Sequence, residues 1–241
     1  MKISGIPITF ATSGDNPYRS ALKDSKKFSN WIDQIQTSFI VKEVLIHKIH
    51  MFGSKVGFVD AEAIASDFNG NNLPGIAFIR GESVAILVTV LNVDTNETFF
   101  VFTRQARVPA GDYILEAPAG MLDDSSNITS KAIEELEEEI GVDLDFKSDK
   151  LQHLTSGFAS PGGSDEWISI YSYELELSNE EIEQLNGRAT GSESENEHIE
   201  LVVVSVSDAI ERSSSLITQL AIQTFMSNKM QRLLTSLAKN Q

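Results

Sequence analysis

The chain has no cysteine among its 241 residues. Disulfide cross-links, thiolate nucleophiles and cysteine-based zinc sites are thereby excluded, and thiol content gives no reading of compartment. Cations are scarce: 19 Lys and Arg stand against 35 Asp and Glu, a formal net charge of −16. Sequence-independent nucleic-acid binding runs on Lys and Arg, so this balance argues against it. An anionic small-molecule substrate would need local positive charge, from a few arginines or a bound metal. No run of about 18 apolar residues occurs, so no membrane span is expected. The N-terminus lacks a basic region followed by an apolar core, so no secretory signal is expected and a cytoplasmic protein is. The 4 histidines make no repeated ligand pattern, and His47 and His50 read as surface or core residues.

What the chain does have is a patterned alternation of strands and helices. Trp31, Ile32, Ile35 and Phe39 recur at helical spacing, which predicts a short amphipathic helix over 29–40. Val44-Leu45-Ile46 and Val56-Gly57-Phe58-Val59 flank Met51-Phe52-Gly53-Ser54 and predict a hairpin. Ile76–Ile79 reads as a further strand. The run Val84 to Leu91 is almost continuously apolar and rich in branched residues, which favours a buried strand over a helix. Strands are also expected over 98–104, 113–116, 151–158, 167–177 and 199–206. Ser178 with Glu181 three residues on has the form of a capping box. Ser207 or Asp208 would cap one final helix running to about residue 238. This order suits an α+β layered domain behind a β-rich lead of about 80 residues.

The densest charge lies in Ile133-Glu134-Glu135-Leu136-Glu137-Glu138-Glu139-Ile140-Gly141-Val142. At about 100° per residue, Glu135, Glu138 and Glu139 share one face of a helix, and Glu137 points to solvent. Ala132, Ile133, Leu136 and Ile140 form the neighbouring apolar stripe. Gly141 is placed to end the helix in a left-handed conformation. Two carboxylates about 6 Å apart repel by roughly 3 kcal/mol at an effective dielectric of about 20, and by tenths of that in water and salt. The stretch alone supports two readings: a solvated acidic face, or oxygen ligands for a hard divalent cation.

Residues upstream give the stretch a frame: Gly120-x5-Ser126-x7-Glu134-Glu135-Leu136-x-Glu138-Glu139-x-Gly141-Val142. This resembles the Nudix box, Gly-x5-Glu-x7-Arg-Glu-U-x-Glu-Glu-x-Gly-U, where U is a bulky aliphatic residue. Gly120, Glu135, Leu136, Glu138, Glu139, Gly141 and Val142 match in register. Ser126 stands where the pattern has Glu, and Glu134 where it has Arg. The resemblance implies a Nudix fold, a mixed β-sheet sandwiched between α-helices. It implies Mg²⁺, or Mn²⁺, held by Glu135, Glu138 and Glu139, with the Ala119 carbonyl as a further ligand after the turn at Gly120. Glu139 then belongs to the catalytic machinery. In the family the box Arg pairs with and orients these acids, which Glu134 cannot do.

Three further stretches extend the resemblance. Ser160-Pro161-Gly162-Gly163-Ser164-Asp165-Glu166 is similar to a turn of the ADP-sugar pyrophosphatase branch, which includes ADP-ribose hydrolases. Glu193-Ser194-Glu195-Asn196-Glu197-His198 is similar to the acidic loop that carries the catalytic base and one more metal ligand. By that likeness Glu195 is the base and Glu197 the ligand, with Glu193 a competing choice. Thr103-Arg104-Gln105-Ala106-Arg107 resembles a substrate-contacting stretch, in which Arg107 is the first choice and Arg104 its neighbour. A guanidinium matches phosphate oxygens bidentately. Glu166 and Gly120 complete the substrate-binding set that the resemblance implies.

From about residue 41 to 225 the chain also looks like the plant ADP-sugar diphosphatase subgroup, as at Arg80-Gly81 and Ala119-Gly120-Met121-Leu122-Asp123-Asp124. That implies a nucleotide-sugar substrate, ADP-ribose or ADP-glucose, cleaved to AMP and a sugar phosphate. It also implies a homodimer built with a β-rich domain over residues 1–80, ahead of a Nudix domain over 81–241. Two alternatives stay open. One is a hydrolase of another dinucleotide or nucleotide sugar. The other is a catalytically weak, nucleotide-binding regulatory protein, motivated by Ser126 and Glu134.

Overall fold

The computed structural model describes residues 1–11, 17–122, 127–141, 147–191 and 198–239. Two compact units divide the chain. One consists of Met1–Ser83, Met121–Asp124 and Phe158–Trp167, the other of Val84–Gly120, Ser125–Gly157 and Ile168–Gln241.

In the first unit, strands β1 (Lys2–Ile3), β2 (Ile6–Phe10), β3 (Ile40–Phe52), β4 (Lys55–Ser66), β5 (Asn72–Leu73) and β6 (Ile76–Ile79) form one sheet. Its order is β1-β2-β3-β4-β5, with β6 also on β4. The β3–β4 pair is the expected hairpin, turning at Gly53, whose φ is +59°. The sheet is mixed, since β2 pairs with β3 in parallel and β3 with β4 antiparallel. Helices α1 (Arg19–Asp24) and α2 (Lys26–Ser38) pack on it through Leu22, Phe28, Trp31 and Ile32. The α2 helix starts three residues before the expected position because the Ser25 hydroxyl accepts the Phe28 N–H at 3.4 Å. Ile40, expected at its end, instead opens β3 opposite Ser66. The Ser-Pro-Gly-Gly stretch is tied to the end of β6. Gly163 O accepts the Phe78 N–H at 2.8 Å, and Asp165 Oδ1 accepts the N–H of Arg80 at 2.6 Å.

The second unit is organised on β7 (Glu82–Asn92). With β8 (Thr98–Arg107), β9 (Asp112–Glu116), β10 (Ala119–Met121), β11 (Gln152–Phe158), β12 (Trp167–Leu177), β13 (Ala189–Thr190) and β14 (Ile199–Ser205), it forms a sheet of order β11-β12-β7-β8-β14-β13. The β10 strand joins at β7 and the β9 strand at β8. The continuous apolar run of β7 is explained by burial on both faces. Val84, Ile86, Val88 and Val90 enter one core with Ala132, Leu136 and Ile140 of the acidic helix. Ala85 and Leu87 enter a second core with Ala209, Ala221 and Ile222. Helices therefore cover both faces of the sheet. They are α3 (Ile128–Glu135) and α4 (Asn179–Leu185) on one side, α5 (Ala209–Arg212) and α6 (Leu216–Lys239) on the other.

The single final helix expected from residue 207 is in fact two. Ser213 to Ser215 break it, because their hydroxyls bond elsewhere. Ser213 Oγ donates to Leu115 O at 2.6 Å, and Ser215 Oγ accepts the Thr218 N–H at 3.3 Å. Among the described residues no helix is long and apolar enough to cross a membrane.

Candidate metal and catalytic site

The acidic helix is not one uniform α-helix. The α3 segment begins with Asn127, whose side chain accepts the Ser130 N–H at 3.2 Å. From Leu136 to Ile140 it widens into a π turn, in which the Gly141 N–H reaches the Leu136 carbonyl at 3.3 Å. Glu135 and Leu136 themselves keep α-helical dihedrals, so only the last turn is widened. Burial separates the acids: Glu135 is 7% exposed and Glu139 2%, whereas Glu138 is exposed. Of the three carboxylates expected on one face, two are thus buried and four residues apart, and Glu138 is exposed along with Glu134 and Glu137. Ala132, Leu136 and Ile140, each four residues apart, form the core stripe.

The loop before the helix is fitted to these two acids. A Cβ on Gly120 would fall on the Glu135 carboxylate, so a side chain there is incompatible with this arrangement. The Ala119 N–H donates to Glu139 Oε2 at 3.2 Å. The loop itself is pinned by Ile86 N–H to Pro118 O at 2.8 Å and Ala117 N–H to Thr218 Oγ1 at 2.8 Å. Lys131 meets the acids from one turn earlier, with Nζ 2.8 Å from Glu135 Oε1 and 3.2 Å from Glu134 Oε2. Burial works to lower the Lys131 pKa, but its bonds and charge interactions with Glu135 and Glu134 more than offset it and hold the ammonium above its ordinary range. Lys131 was not anticipated from sequence, although its i, i+4 spacing to Glu135 was visible there.

Gly141 closes the turn at φ +125° and ψ 148°, which is not the left-handed helical conformation expected of it but is still a region that favours glycine. A Cβ there would sit 3.0 Å from the Arg188 guanidinium, so a cation packs against the C-terminal end of the turn.

The remaining expected site residues are distributed differently. Arg107 Nε lies 2.7 Å from Glu116 Oε1, on the paired strands β8 and β9. Arg104 lies 3.2 Å from Glu200 and 4.6 Å over the Tyr113 ring. Both arginines thus have carboxylate partners within the sheet. Glu166 belongs to the first unit, where the Arg80 Nε is 3.1 Å away and the Ser83 hydroxyl 3.3 Å. The Arg80 contact is ionic, since its Nε is not aligned for a hydrogen bond. Beside it, burial raises the Asp165 pKa, opposed by N–H bonds from Arg80 and Gly81. Glu193, Glu195, Glu197, Ser126 and Val142 lie outside the described residues. Among the described residues, no group of three or more acidic or histidine side chains is arranged to hold a metal ion. What the described part offers is a pair of buried carboxylates, oxygen donors of the kind a hard divalent cation takes.

Comparison with known proteins bears on this arrangement. The family model of the NUDIX domain matches residues 82–220, the span that holds β7, the Gly120 loop and the acidic helix. Nudix hydrolase 14, chloroplastic, of Arabidopsis thaliana is 38% identical over 215 residues, which are 80% of this chain and 68% of that protein. ADP-ribose pyrophosphatase of Bacillus subtilis (strain 168) is 32% identical over 123 residues, 51% of this chain and 60% of that protein. A crystal structure of an ADP compounds hydrolase covers 81% of this chain at a TM-score of 0.55 and 15% identity, a likeness of fold. With more than half of the chain inside the family match, and a relative at 38% identity spanned over 68% of its length, the protein belongs to the Nudix hydrolase family.

Proposed function

We propose that this Nudix hydrolase cleaves the pyrophosphate bond of an ADP-sugar, ADP-ribose or ADP-glucose, giving AMP and a sugar phosphate. The observation that carries the reading is the fit of Gly120 against Glu135, beside the Ala119–Glu139 bond. Burying two carboxylates beside a loop is costly, and such arrangements concentrate at functional sites. The names of the relatives support this substrate class. The Bacillus protein is named an ADP-ribose pyrophosphatase, and the plant relative, over most of this chain, is a Nudix hydrolase.

In this reading Glu135 and Glu139 hold Mg²⁺, or Mn²⁺, with the Ala119 carbonyl, Glu138 and Glu197 as further ligands. When bound, the metal neutralises phosphate charge and lowers the pKa of a coordinated water. Glu195 takes the proton of the attacking water. The water oxygen bonds to one phosphorus, the bridging P–O bond breaks, and the other phosphate leaves with the electron pair. Arg107 and Arg104, with Glu166 and the Gly120 backbone, place the substrate. To bind phosphate, Arg107 exchanges or shares its contact with Glu116. The protein acts as a homodimer in which residues 1–80 form the subunit contact.

The test is to incubate the protein with Mg²⁺ and either ADP-ribose or ADP-glucose and to follow AMP by chromatography. AMP from one of them supports the substrate class. Turnover of other dinucleotides with none of these would replace it. Stabilisation by nucleotide without turnover would favour a binding protein, a reading that Glu134 motivates.

A further inference from the structure

We propose that Lys131 is a positioning residue for Glu135: it supplies, from the first turn of α3, the cation that position 134 lacks. The inference rests on the hydrolase reading for its consequence in catalysis, but its geometry stands independently.

Two features separate Lys131 from an ordinary surface cation. The first is exposure. The Lys131 and Glu135 side chains are 17% and 10% exposed, and their contact is 2.8 Å. The Arg104–Glu200 pair, by contrast, is 47% and 49% exposed, the regime in which ion pairs contribute little. The second is placement. A lysine four residues N-terminal to a glutamate is the less favourable order on a helix, and a cation in the first turn opposes the helix dipole. Helix stability therefore does not account for a lysine at this position. A requirement at Glu135 does.

The carboxylate of Glu135 is confined from two sides. It fills the space that a side chain on Gly120 would take, against the Gly120 backbone, and the Lys131 ammonium engages its Oε1. A glutamate has three rotatable bonds, and this pair of contacts fixes the end of the chain before any ligand arrives. Glu134, where an arginine would do the orienting by family resemblance, is exposed and sits on the same ammonium at 3.2 Å. Lys131 thus takes over the orienting charge, and Glu134 adds a second, peripheral contact to it.

The sign of one measurement decides between positioning and competition. If Lys131 only competes with a metal for Glu135, removing it tightens metal binding. If it positions Glu135, removing it weakens binding. The full chain carrying Lys131→Met is titrated with Mn²⁺ by electron paramagnetic resonance without substrate, and AMP release is measured in parallel. We expect Mn²⁺ binding weakened about 10-fold and kcat lowered about 10–100-fold, as for other residues that orient ligands. Lys131→Arg is expected to stay within about 3-fold of the parent, and so is Glu134→Gln. Lys131→Gln, which keeps the stem and a polar end, repeats the test should the Met variant unfold. Unchanged or tighter Mn²⁺ binding in both neutral variants overturns the proposal, as does a Glu134→Gln defect equal to theirs. A parent protein that binds Mn²⁺ but releases no AMP would remove the ADP-sugar reading while leaving the positioning test intact.

Discussion

Two acidic helical segments of similar composition meet opposite fates. The α4 segment and the turn from Glu134 to Glu139 both crowd glutamates around aliphatic residues. In α4, Glu180, Glu181 and Glu183 are all exposed, and Leu185 alone is buried. Their charges serve the helix itself: Glu181 closes a capping box with Ser178, and Glu180 accepts from Gln184 at 3.3 Å. In the other segment Glu135 and Glu139 are turned inward. The difference is not in the acids but in what approaches them. Gly120 makes room, the Ala119 N–H donates, and Lys131 brings charge. A buried carboxylate persists only with such partners, whereas an exposed one needs none.

The contrast is broken most severely at Glu139. Replacing it with Gln keeps the shape but removes the charge. Loss of an interaction of several kcal/mol corresponds to a fall in kcat of about 10²–10³-fold. Glu183→Gln in α4 should leave kcat unchanged, and AMP release by the two variants measures the gap directly. Gly120→Ala comes next. Its methyl group would occupy the place of the Glu135 carboxylate, and displacement of that group by about 1 Å is expected to cost up to about 10²-fold. Gly157→Ala is the matched control, since nothing lies within 4 Å of a Cβ there.

A smaller effect is expected at Glu138, which is exposed. Glu138→Gln should lower kcat by less than about 10-fold, well short of Glu139→Gln. A loss equal to that of Glu139 would mean that all three carboxylates act as one set. The smallest effect belongs to α4. Ser178→Ala removes a cap and should lower Tm by about 2–4 °C with no change in kcat. The Glu181 pKa is held below its ordinary value by the backbone N–H of Ser178 and by its hydroxyl. A depressed carboxyl contributes stability that is present above its unfolded value and lost as pH falls through the folded one. Only the hydroxyl's share of this is lost in Ser178→Ala, so the Tm gap between the two proteins should narrow, without closing, as pH falls from 6 to 3.

Much of this was legible in the residues. The unbroken apolar run of β7 announced a strand buried on both faces, and Ser178 with Glu181 announced a capped helix start. The two glycines around the acidic stretch marked a loop–helix frame, and the Nudix membership follows the same frame. Other features were hidden for identifiable reasons. Burial along one face depends on what packs over it, so a spacing read at 100° per residue did not separate exposed Glu138 from buried Glu135 and Glu139. The break at Ser213 depends on a carbonyl of Leu115, nearly a hundred residues earlier in the chain. The partners of Arg104 and Arg107 come from neighbouring strands, and strand register is a property of the sheet.

By itself the sequence determined the kinds of atoms available: carboxylates at fixed steps along one helix, glycine where the chain must turn, and no thiol. Residue type and local spacing are enough for that, because helix and strand periods are properties of the backbone. Only the tertiary structure decided which of the five glutamates between 134 and 139 are buried. That choice rests on the close approach of the Gly120 loop to the helix and on the reach of Lys131, contacts made when the sheet and helix pack together.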